Sequence, residues 1–231
     1  MDDLRTSTIN EKVENEKISN NLQKEKIESK YFYFFIKRLI DIIGSSIGLI
    51  VLVPLFLVVA YKIKREDVEG PVFFSQERVG KNGKIFRMYK FRSMCINAEE
   101  QLVSLLQHNE VEGAMFKMKE DPRVTKIGKF IRKTSIDELP QLWNVLKGDM
   151  SLVGPRPPLI REVNEYSDYE KQRLLVKPGC TGLWQVSGRN HVGFEEMVRL
   201  DIKYIRTIGL INDMKIIFKT IIVMIKPNGA Y

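Results

Sequence analysis

The chain has 231 residues, which is enough for one sizeable core or for a core together with a membrane element. Lysine and arginine number 37 against 29 aspartates and glutamates, and the formal charge of +8 favours an acidic partner: a phosphorylated small molecule, an anionic membrane or a nucleic acid. With only two cysteines and two histidines, the composition excludes a zinc cluster of the usual Cys/His kind and argues against a histidine-based catalytic triad.

Residues 1–30 are rich in Glu, Lys, Asn and Ser and predict a polar arm that is disordered or loosely helical. The N-terminus is acidic and lacks a small-residue cleavage site, so it does not have the features of a signal peptide. We therefore expect the folded part of the chain in the cytoplasm.

Residues 31–65 form an apolar unit. Nineteen residues without a charge run from Ile42 to Ala60, close to the roughly 20 that cross a bilayer. Pro54 interrupts this run, and basic residues flank both ends, so the positive-inside rule gives no orientation. A spanning helix with a tolerated kink is one interpretation. A re-entrant helix that bends at Pro54 and leaves on the side it entered accounts for both observations and is favoured.

Residues 66–231 predict one α/β domain that is mostly helical and contains a short β-hairpin. The hairpin is expected in PVFFSQERVGKNGKIFRMYKFRSM, around the turn from Gly80 to Gly83, because Asn-Gly pairs tolerate positive φ. Further predicted elements are a helix capped by Asn97, helices over 124–131 and 139–146, a strand over 183–186, and two C-terminal amphipathic helices that either pack on the core or lie in the membrane interface.

An acidic pair, Asp137 and Glu138, stands beside a predicted helix start in TSIDELPQLWNVLKGDMSLVGPRP. Ser135 and Glu138 fit a capping box, so the acids could serve only to cap the helix. However, Pro140 falls in the first helical turn only if Asp137 is the cap, and capping therefore does not explain both carboxylates. The alternative is a division of labour between a nucleophile and a base or metal ligand. Both interpretations stay open on the residues alone.

Basic residues around this pair are candidates for phosphate binding. Arg156 lies between two prolines that fix the local backbone and could aim its guanidinium. An idle arginine on a rigid surface loop would look the same. The other candidates are Arg132, Arg189, Lys90 and Arg92. Lys90 and Arg92 alternate with aromatic residues, as on a nucleic-acid surface or on a half-buried strand with a solvated basic face.

Taken together, these stretches resemble the bacterial sugar transferase family, the monotopic phosphoglycosyl transferases that begin lipid-linked glycan assembly. The resemblance covers about residues 33–231. It rests on FIKRLIDIIGS, GPVFFSQERVGKNGKIFRMYKFRSM, DPRVTKIGKFIRKTSIDELPQLWNVLKGDMSLVGPRP, KPGCTGLWQVSGR and the closing GAY. The chain looks like the short form of that family.

The resemblance implies an enzyme that transfers a sugar-1-phosphate, with a hexose expected, from a UDP-sugar to undecaprenyl phosphate and releases UMP, the first step of exopolysaccharide or capsule assembly. It implies that Asp137 is a covalent nucleophile and Mg²⁺ ligand, and that Glu138 is its catalytic partner. Arg132, Arg156 and Arg189 would then hold the diphosphate and nucleotide, and Lys90 and Arg92 would add to substrate binding. The family breaks its membrane helix at a Ser-Pro pair, whereas here Val53 precedes Pro54.

The resemblance also implies a location at the inner cell membrane, with the catalytic domain on the cytoplasmic face. Anionic lipids would bind the basic flanks of the anchor, no nucleic acid is expected, and a homo-oligomer is left open. The alternative function is a non-catalytic, membrane-anchored binding protein that uses its basic face to recruit an acidic partner.

Overall fold

The computed structural model describes residues 24–108, 118, 120–188 and 193–225. Within them the chain is mostly helical and contains two small sheets. The helices are α1 (Tyr31–Val51), α2 (Val53–Glu66), α3 (Leu102–Leu105), α4 (Lys126–Lys133), α5 (Gln141–Lys147), α6 (Ile160–Asn164), α7 (Asp168–Lys171), α8 (Phe194–Arg206) and α9 (Leu210–Ile225). The strands are β1 (Phe73–Val79), β2 (Ile85–Phe91), β3 (Ser151–Val153) and β4 (Gly179–Thr181). Most of the predicted polar arm and the closing GAY lie outside the described residues.

The apolar unit folds as two helices, because Leu52 separates α1 from α2 and their axes differ by 58°. Pro54 therefore lies in the first turn of α2 and not in a helix interior, which corrects the expectation that it removes a backbone hydrogen bond. The bend forms although Val53 stands in place of a serine. Among the described residues, no single helix has the length and hydropathy of a membrane-crossing helix, and α1 and α2 reach that threshold only as a bent pair.

The hairpin is confirmed. β1 and β2 pair antiparallel from Phe73 opposite Phe91 to Val79 opposite Ile85. Asn82 and Gly83 in the connecting turn both have positive φ, as the Asn-Gly pair predicts. The second sheet is a parallel pair, with Ser151 of β3 opposite Gly179 of β4.

Two local predictions are wrong. The segment 183–186 is a turn, and the strand lies before it as β4, where it pairs with a segment that is distant in sequence. The helix expected from Asn97 begins only at Leu102, after a series of turns. In contrast, the helices over 124–131 and 139–146 are confirmed as α4 and α5, and α5 ends at Gly148 with φ of 92°.

Polar contacts attach α1 to the domain. Asp41 accepts hydrogen bonds from Leu152 N at 2.9 Å and from Ser151 Oγ at 3.0 Å, which holds β3 against the helix. Arg38 donates to the carbonyls of Val145 and Leu146 at 2.6 and 2.8 Å, the free acceptors at the C-terminal end of α5. α1 and α5, the helix that follows the acidic pair, are therefore fixed to each other.

The C-terminal helices pack on the same body. Asp213 of α9 accepts from Lys37 at 2.7 Å and from Tyr33 at 2.8 Å on α1, and from Tyr204 of α8 at 2.8 Å. α8 contributes buried residues from Met197 to Ile205 to the core. α9 buries Ile216 but exposes an apolar row on its other side: Ile211, Met214, Phe218, Ile221 and Ile222. The prediction of two amphipathic C-terminal helices is confirmed, and both contribute to the core.

Candidate active site

An open cavity of about 1540 Å³ contains the acidic pair. One wall is the face of the β1–β2 hairpin, and the others are the turn that carries Asp137 and Glu138, the segment around Arg156, and the end of β4 with part of α9. The sequence-predicted residues Asp137, Glu138, Lys90, Arg92, Arg132 and Arg156 all line it. Arg189 lies outside the described residues, so its predicted role is not addressed by the structure.

The acidic pair is presented by a tight turn between α4 and α5. α4 ends at Lys133, and Ser135 then takes a left-handed conformation with φ of 56°. Asp137 and Glu138 lie on the 3₁₀ turn that follows, and Pro140 takes the N-cap position of α5. The capping-box interpretation is therefore wrong: neither carboxylate caps α5, and Ser135 makes no side-chain capping bond to the 3₁₀ turn. The presence of two adjacent carboxylates at this turn is therefore not explained by capping of α5.

Asp137 is buried, with 8% of its surface exposed, whereas the neighbouring Glu138 is exposed. Burial raises the pKa of Asp137 to about 6, and the negative charge of Glu138 adds to that effect. The positive charges of Lys90 and Arg132 act in the opposite direction on the same pKa. Asp137 is thus a carboxylate with little water around it that is still mostly ionised at neutral pH.

Lys90 lies between the two acids. Its Nζ is 2.6 Å from Oε1 of Glu138 and 3.9 Å from Oδ2 of Asp137. The hairpin brings it there because the side-chain amide of Asn144, on α5, pairs with the edge of β2. Asn144 Oδ1 accepts from Tyr89 N at 3.0 Å, and its Nδ2 donates to Arg87 O at 2.7 Å. Asn144 is fully buried and fixes the register between Lys90 and the acidic pair.

Arg132 and Arg92, two of the predicted substrate-binding residues, differ in their surroundings. Arg132 lies in the last turn of α4, and its charge acts on Asp137. Arg92 is buried and donates to the Asp67 carboxylate at 2.6 Å and to the Asp67 carbonyl at 3.2 Å, which ties the hairpin to the end of α2. Its predicted role in substrate binding stays a prediction.

Arg156 is held from three sides. Its guanidinium contacts both oxygens of the buried Glu162, at 3.1 and 3.4 Å. Its backbone carbonyl accepts from Arg173 at 3.2 Å, and Arg173 is itself paired with Asp201 at 2.8 Å in the core. The next residue, Pro157, accepts from Arg78 at 3.2 Å. The sequence predicted that Pro155 and Pro157 position Arg156 through the backbone. The structure shows in addition that the buried side chains of Glu162, Arg173 and Arg78 bond to this segment.

Five of these residues were not predicted from the sequence: Asn144, Arg78, Arg173, Asp201 and Glu162. Each occupies a position in a polar or mixed stretch that also fits a solvated surface. No local pattern distinguishes a buried charge from an exposed one, since burial depends on segments that are distant in the chain. The motif containing Arg78 contributed to the family resemblance, but its role did not follow from it.

The carboxylates fit a Mg²⁺ ion that is shared with a substrate. Mg²⁺ is usually held by one or two carboxylates together with substrate phosphates. Asp137 and Glu138 are adjacent and both line the cavity. Among the described residues, no group of three or more His, Cys, Asp or Glu side chains could hold a metal ion by itself. The donor set therefore suits a metal that arrives with, or is completed by, a phosphate ligand.

Comparison with known proteins gives consistent matches. The model of the family described as bacterial sugar transferase matches residues 32–227. A galactosyl transferase, CpsE, from Streptococcus agalactiae serotype III is 54% identical over 204 residues, which are 87% of this chain and 44% of the relative. An undecaprenyl-phosphate galactose phosphotransferase from Salmonella typhimurium is 48% identical over 93% of this chain and 44% of its own length. A UDP-galactose-lipid carrier transferase from Erwinia amylovora is 44% identical over the same shares. The chain thus spans less than half the length of these curated relatives.

Proposed function

The chain belongs to the bacterial sugar transferase family, and we propose that it transfers a hexose-1-phosphate from a UDP-sugar to undecaprenyl phosphate, releasing UMP. This would be the initiating step of exopolysaccharide, capsule or other lipid-linked glycan assembly. The names of the three relatives support this proposal, and since each refers to galactose, UDP-galactose is the first donor to test.

The observation that carries the proposal is the buried Asp137 in a basic cavity. In the first step, a carboxylate oxygen of Asp137 would attack the sugar-bearing phosphorus of the donor. A P–O bond forms to Asp137, the P–O bond to the second phosphate breaks, and UMP leaves with that electron pair. A nucleophile of this kind divides one transfer between two anions into two displacements.

Both displacements bring anions together, and the cavity supplies the opposite charge. Lys90, Arg132 and Arg156 all line it and would offset the charge of the carboxylate and the phosphates. Asp137 and Glu138 would hold Mg²⁺, which when bound supplies further neutralisation of phosphate charge. In the second step, a phosphate oxygen of undecaprenyl phosphate attacks the same phosphorus. The bond to Asp137 then breaks, and the carboxylate is regenerated.

A non-catalytic binding protein has no evident use for this arrangement. Such a protein would need a basic surface but not a buried carboxylate. Burying an ionised carboxylate lowers the stability of the fold, and carboxylates of this kind are concentrated at functional sites. Asp137 is buried beside Lys90, and this geometry favours catalysis over simple recruitment.

For the bent pair α1–α2 we propose a re-entrant anchor at the inner membrane, with the cavity on the cytoplasmic face. The bend at Leu52 and the exposed apolar side chains on both helices, among them Ile43, Ile50 and Leu57, support an element that enters the lipid without crossing it. Basic residues at its C-terminal end, such as Lys62 and Arg65, would contact anionic headgroups, whereas Lys37 and Arg38 at the other end are bound to the domain. The reactive phosphate of undecaprenyl phosphate lies at that same interface.

The test uses purified full-length protein, undecaprenyl phosphate and a panel of UDP-sugars, with UMP release as the readout. Donor labelled in its sugar-linked phosphate should label the parent protein in the absence of acceptor, and Asp137→Asn should abolish both the label and the turnover. Parallel double-reciprocal lines are expected for the two substrates. Intersecting lines, or an Asp137→Asn variant that still accepts label, would refute the covalent route. Failure to release UMP from any UDP-sugar would refute the transferase itself.

A further inference from the structure

The hairpin presents basic residues at both ends of the cavity. In the antiparallel register, Phe74 is opposite Lys90, Gln76 opposite Met88, and Arg78 opposite Phe86, so these six side chains share one face. Lys90 lies beside the acidic pair and is opposite Phe74. Arg78 lies four residues after Phe74 on the same strand. At about 3.3 Å per residue this is a separation of about 13 Å between their positions on the strand.

Arg78 is a buried cation whose charge is not balanced. Only 8% of the surface of Arg78 is exposed. Its Nη1 donates to Pro157 O at 3.2 Å, and its Nη2 donates to Gln76 Oε1 at 2.9 Å. Its Nε has no hydrogen-bond partner. Both acceptors are neutral, and no carboxylate of the described residues lies within ion-pair distance of Arg78. A guanidinium has five N–H donors, and burying one without a counter-ion is unfavourable.

The neighbours of Arg78 add positive charge. Burial lowers the pKa of Arg78 to about 10, and the charges of Arg156 and Arg161 act in the same direction. Glu162 and Glu138 act in the opposite direction on this pKa. The Glu162 carboxylate already accepts from Arg156 at 3.1 Å and from Leu159 N at 3.0 Å, and Glu138 is paired with Lys90 at 2.6 Å. Three arginines and the engaged Glu162 therefore line this part of the cavity.

We propose that Arg78, with Arg156 and Arg161, forms an anion site that binds a phosphate group at the end of the cavity away from Lys90. We call these three residues the arginine site. The identity of its physiological ligand rests on the proposed function, which offers two sources of the same chemistry: the diphosphate of the nucleotide donor and the phosphate of the polyprenol acceptor. In either case the bound oxyanion supplies the negative charge that Arg78 lacks, and the terminal N–H groups not used by Pro157 and Gln76 donate to it.

Inorganic pyrophosphate is the first probe, because its binding does not depend on catalysis. Isothermal titration with Mg²⁺-free, full-length protein should show that Arg78→Gln weakens pyrophosphate binding about tenfold or more, as expected for a charged hydrogen bond. Arg78→Lys should lose less, since it keeps the charge. Arg206→Gln removes the same kind of charge from an exposed position outside the cavity and should leave the affinity unchanged. Parent-like pyrophosphate affinity in Arg78→Gln would overturn the proposal.

Two further titrations, with UDP and with a short-chain polyprenyl phosphate, identify the source. A loss in Arg78→Gln for UDP alone assigns the arginine site to the donor, and a loss for the prenyl phosphate alone assigns it to the acceptor. If Arg78→Gln does not fold, as judged by thermal unfolding, Arg78→Lys decides, because it keeps a cation but loses the second guanidinium nitrogen. A folded Arg78→Lys variant that binds pyrophosphate with only partly reduced affinity supports the proposal. A folded Arg78→Lys variant that loses pyrophosphate binding completely would show that the positive charge does not bind the anion, which overturns the proposal.

The outcome is separable from that of the proposed function. A protein that binds pyrophosphate through Arg78 but releases no UMP from any donor would retain the arginine site and lose the transferase. A protein that releases UMP, with pyrophosphate affinity and donor KM unchanged in Arg78→Gln, would retain the transferase and lose the arginine site.

Discussion

Replacing Asp137 by asparagine should make the protein more stable at neutral pH in the absence of Mg²⁺. The carboxyl is buried, and its pKa in the folded protein is raised to about 6, against 3.8 for an aspartate that is fully exposed to water. An acid with a raised folded-state pKa binds its proton more tightly in the folded state. Its favourable contribution is present below about pH 4 and is lost as the pH rises through about 6. At neutral pH the ionised carboxylate therefore destabilises the fold, and asparagine removes that charge.

The size of the effect follows from the shift. A difference of about two pKa units corresponds to roughly 3 kcal/mol at 1.36 kcal/mol per unit. For a domain of about 150–250 residues this raises the Tm by about 6–12 °C. The gain should be present at pH 7.5, shrink as the pH approaches 5, and vanish near pH 4, where the parent carboxyl is itself protonated.

Thermal unfolding in EDTA, followed by intrinsic fluorescence from pH 4 to 7.5, measures the difference between parent and Asp137→Asn. Asp201 also has a pKa raised to about 6 by burial, but it is present in both proteins, and its contribution cancels in the difference. Asp168→Asn, which removes a carboxylate from an exposed position, should change the Tm by no more than about 2 °C. An Asp137→Asn protein that is less stable than the parent at pH 7.5, or a gain that does not depend on pH, would refute the reasoning.

Three further changes test other parts of the structure. Arg156→Lys loses the planar guanidinium, whose Nη1 contacts both oxygens of Glu162 and whose other N–H groups are oriented by that contact, and UMP-release kinetics should show donor kcat/KM at least about tenfold lower; parent-like kinetics would mean that Arg156 acts only as a point charge. Asn144→Ala leaves Tyr89 N and Arg87 O on β2 without their hydrogen-bond partner, and thermal unfolding should show a loss of roughly 2–3 kcal/mol in the free energy of unfolding. The same variant should have a lower kcat, because Lys90 is no longer held in position beside the acidic pair. An unchanged kcat would contradict that link. Pro54→Leu restores a backbone donor and should favour one continuous helix over the bent pair, so that a cysteine placed at Ser19, without the native cysteines, gains labelling by an impermeant thiol reagent in intact cells. Strong labelling of the Pro54 parent would instead indicate an ordinary spanning helix.

The features that the sequence predicted correctly depend on local chemistry. The hairpin followed from Asn82 and Gly83, which accept the positive φ that the turn requires, and the end of α5 followed from Gly148 for the same reason. The helical periodicity of α4, α5, α8 and α9 was visible within windows of a few turns. The motifs that carry the family resemblance also singled out Asp137, Glu138 and Arg156, and the structure brings all three to one cavity.

The features that the sequence missed are set by long-range contacts. β3 and β4 have three residues each and pair across a separation that no window of sequence spans, which explains why a strand was misplaced at 183–186. The capping interpretation of Ser135 failed because Ser135 turns the chain in a left-handed conformation, and this directs the acids into the cavity. A local pattern could not anticipate that choice.

The sequence by itself therefore determined the hairpin, the longer helices and the position of the apolar unit, and it identified the acidic and basic residues that are candidates for the chemistry. Only the tertiary structure decided which of those charges are buried. It buries Asp137 but leaves Glu138 exposed, pairs Arg92 with Asp67, and places Arg78 beside Arg156 with neutral acceptors. The physical reason is that secondary structure responds to neighbours along the chain, whereas the solvation of a charge, and with it the pKa, depends on every segment that packs around it.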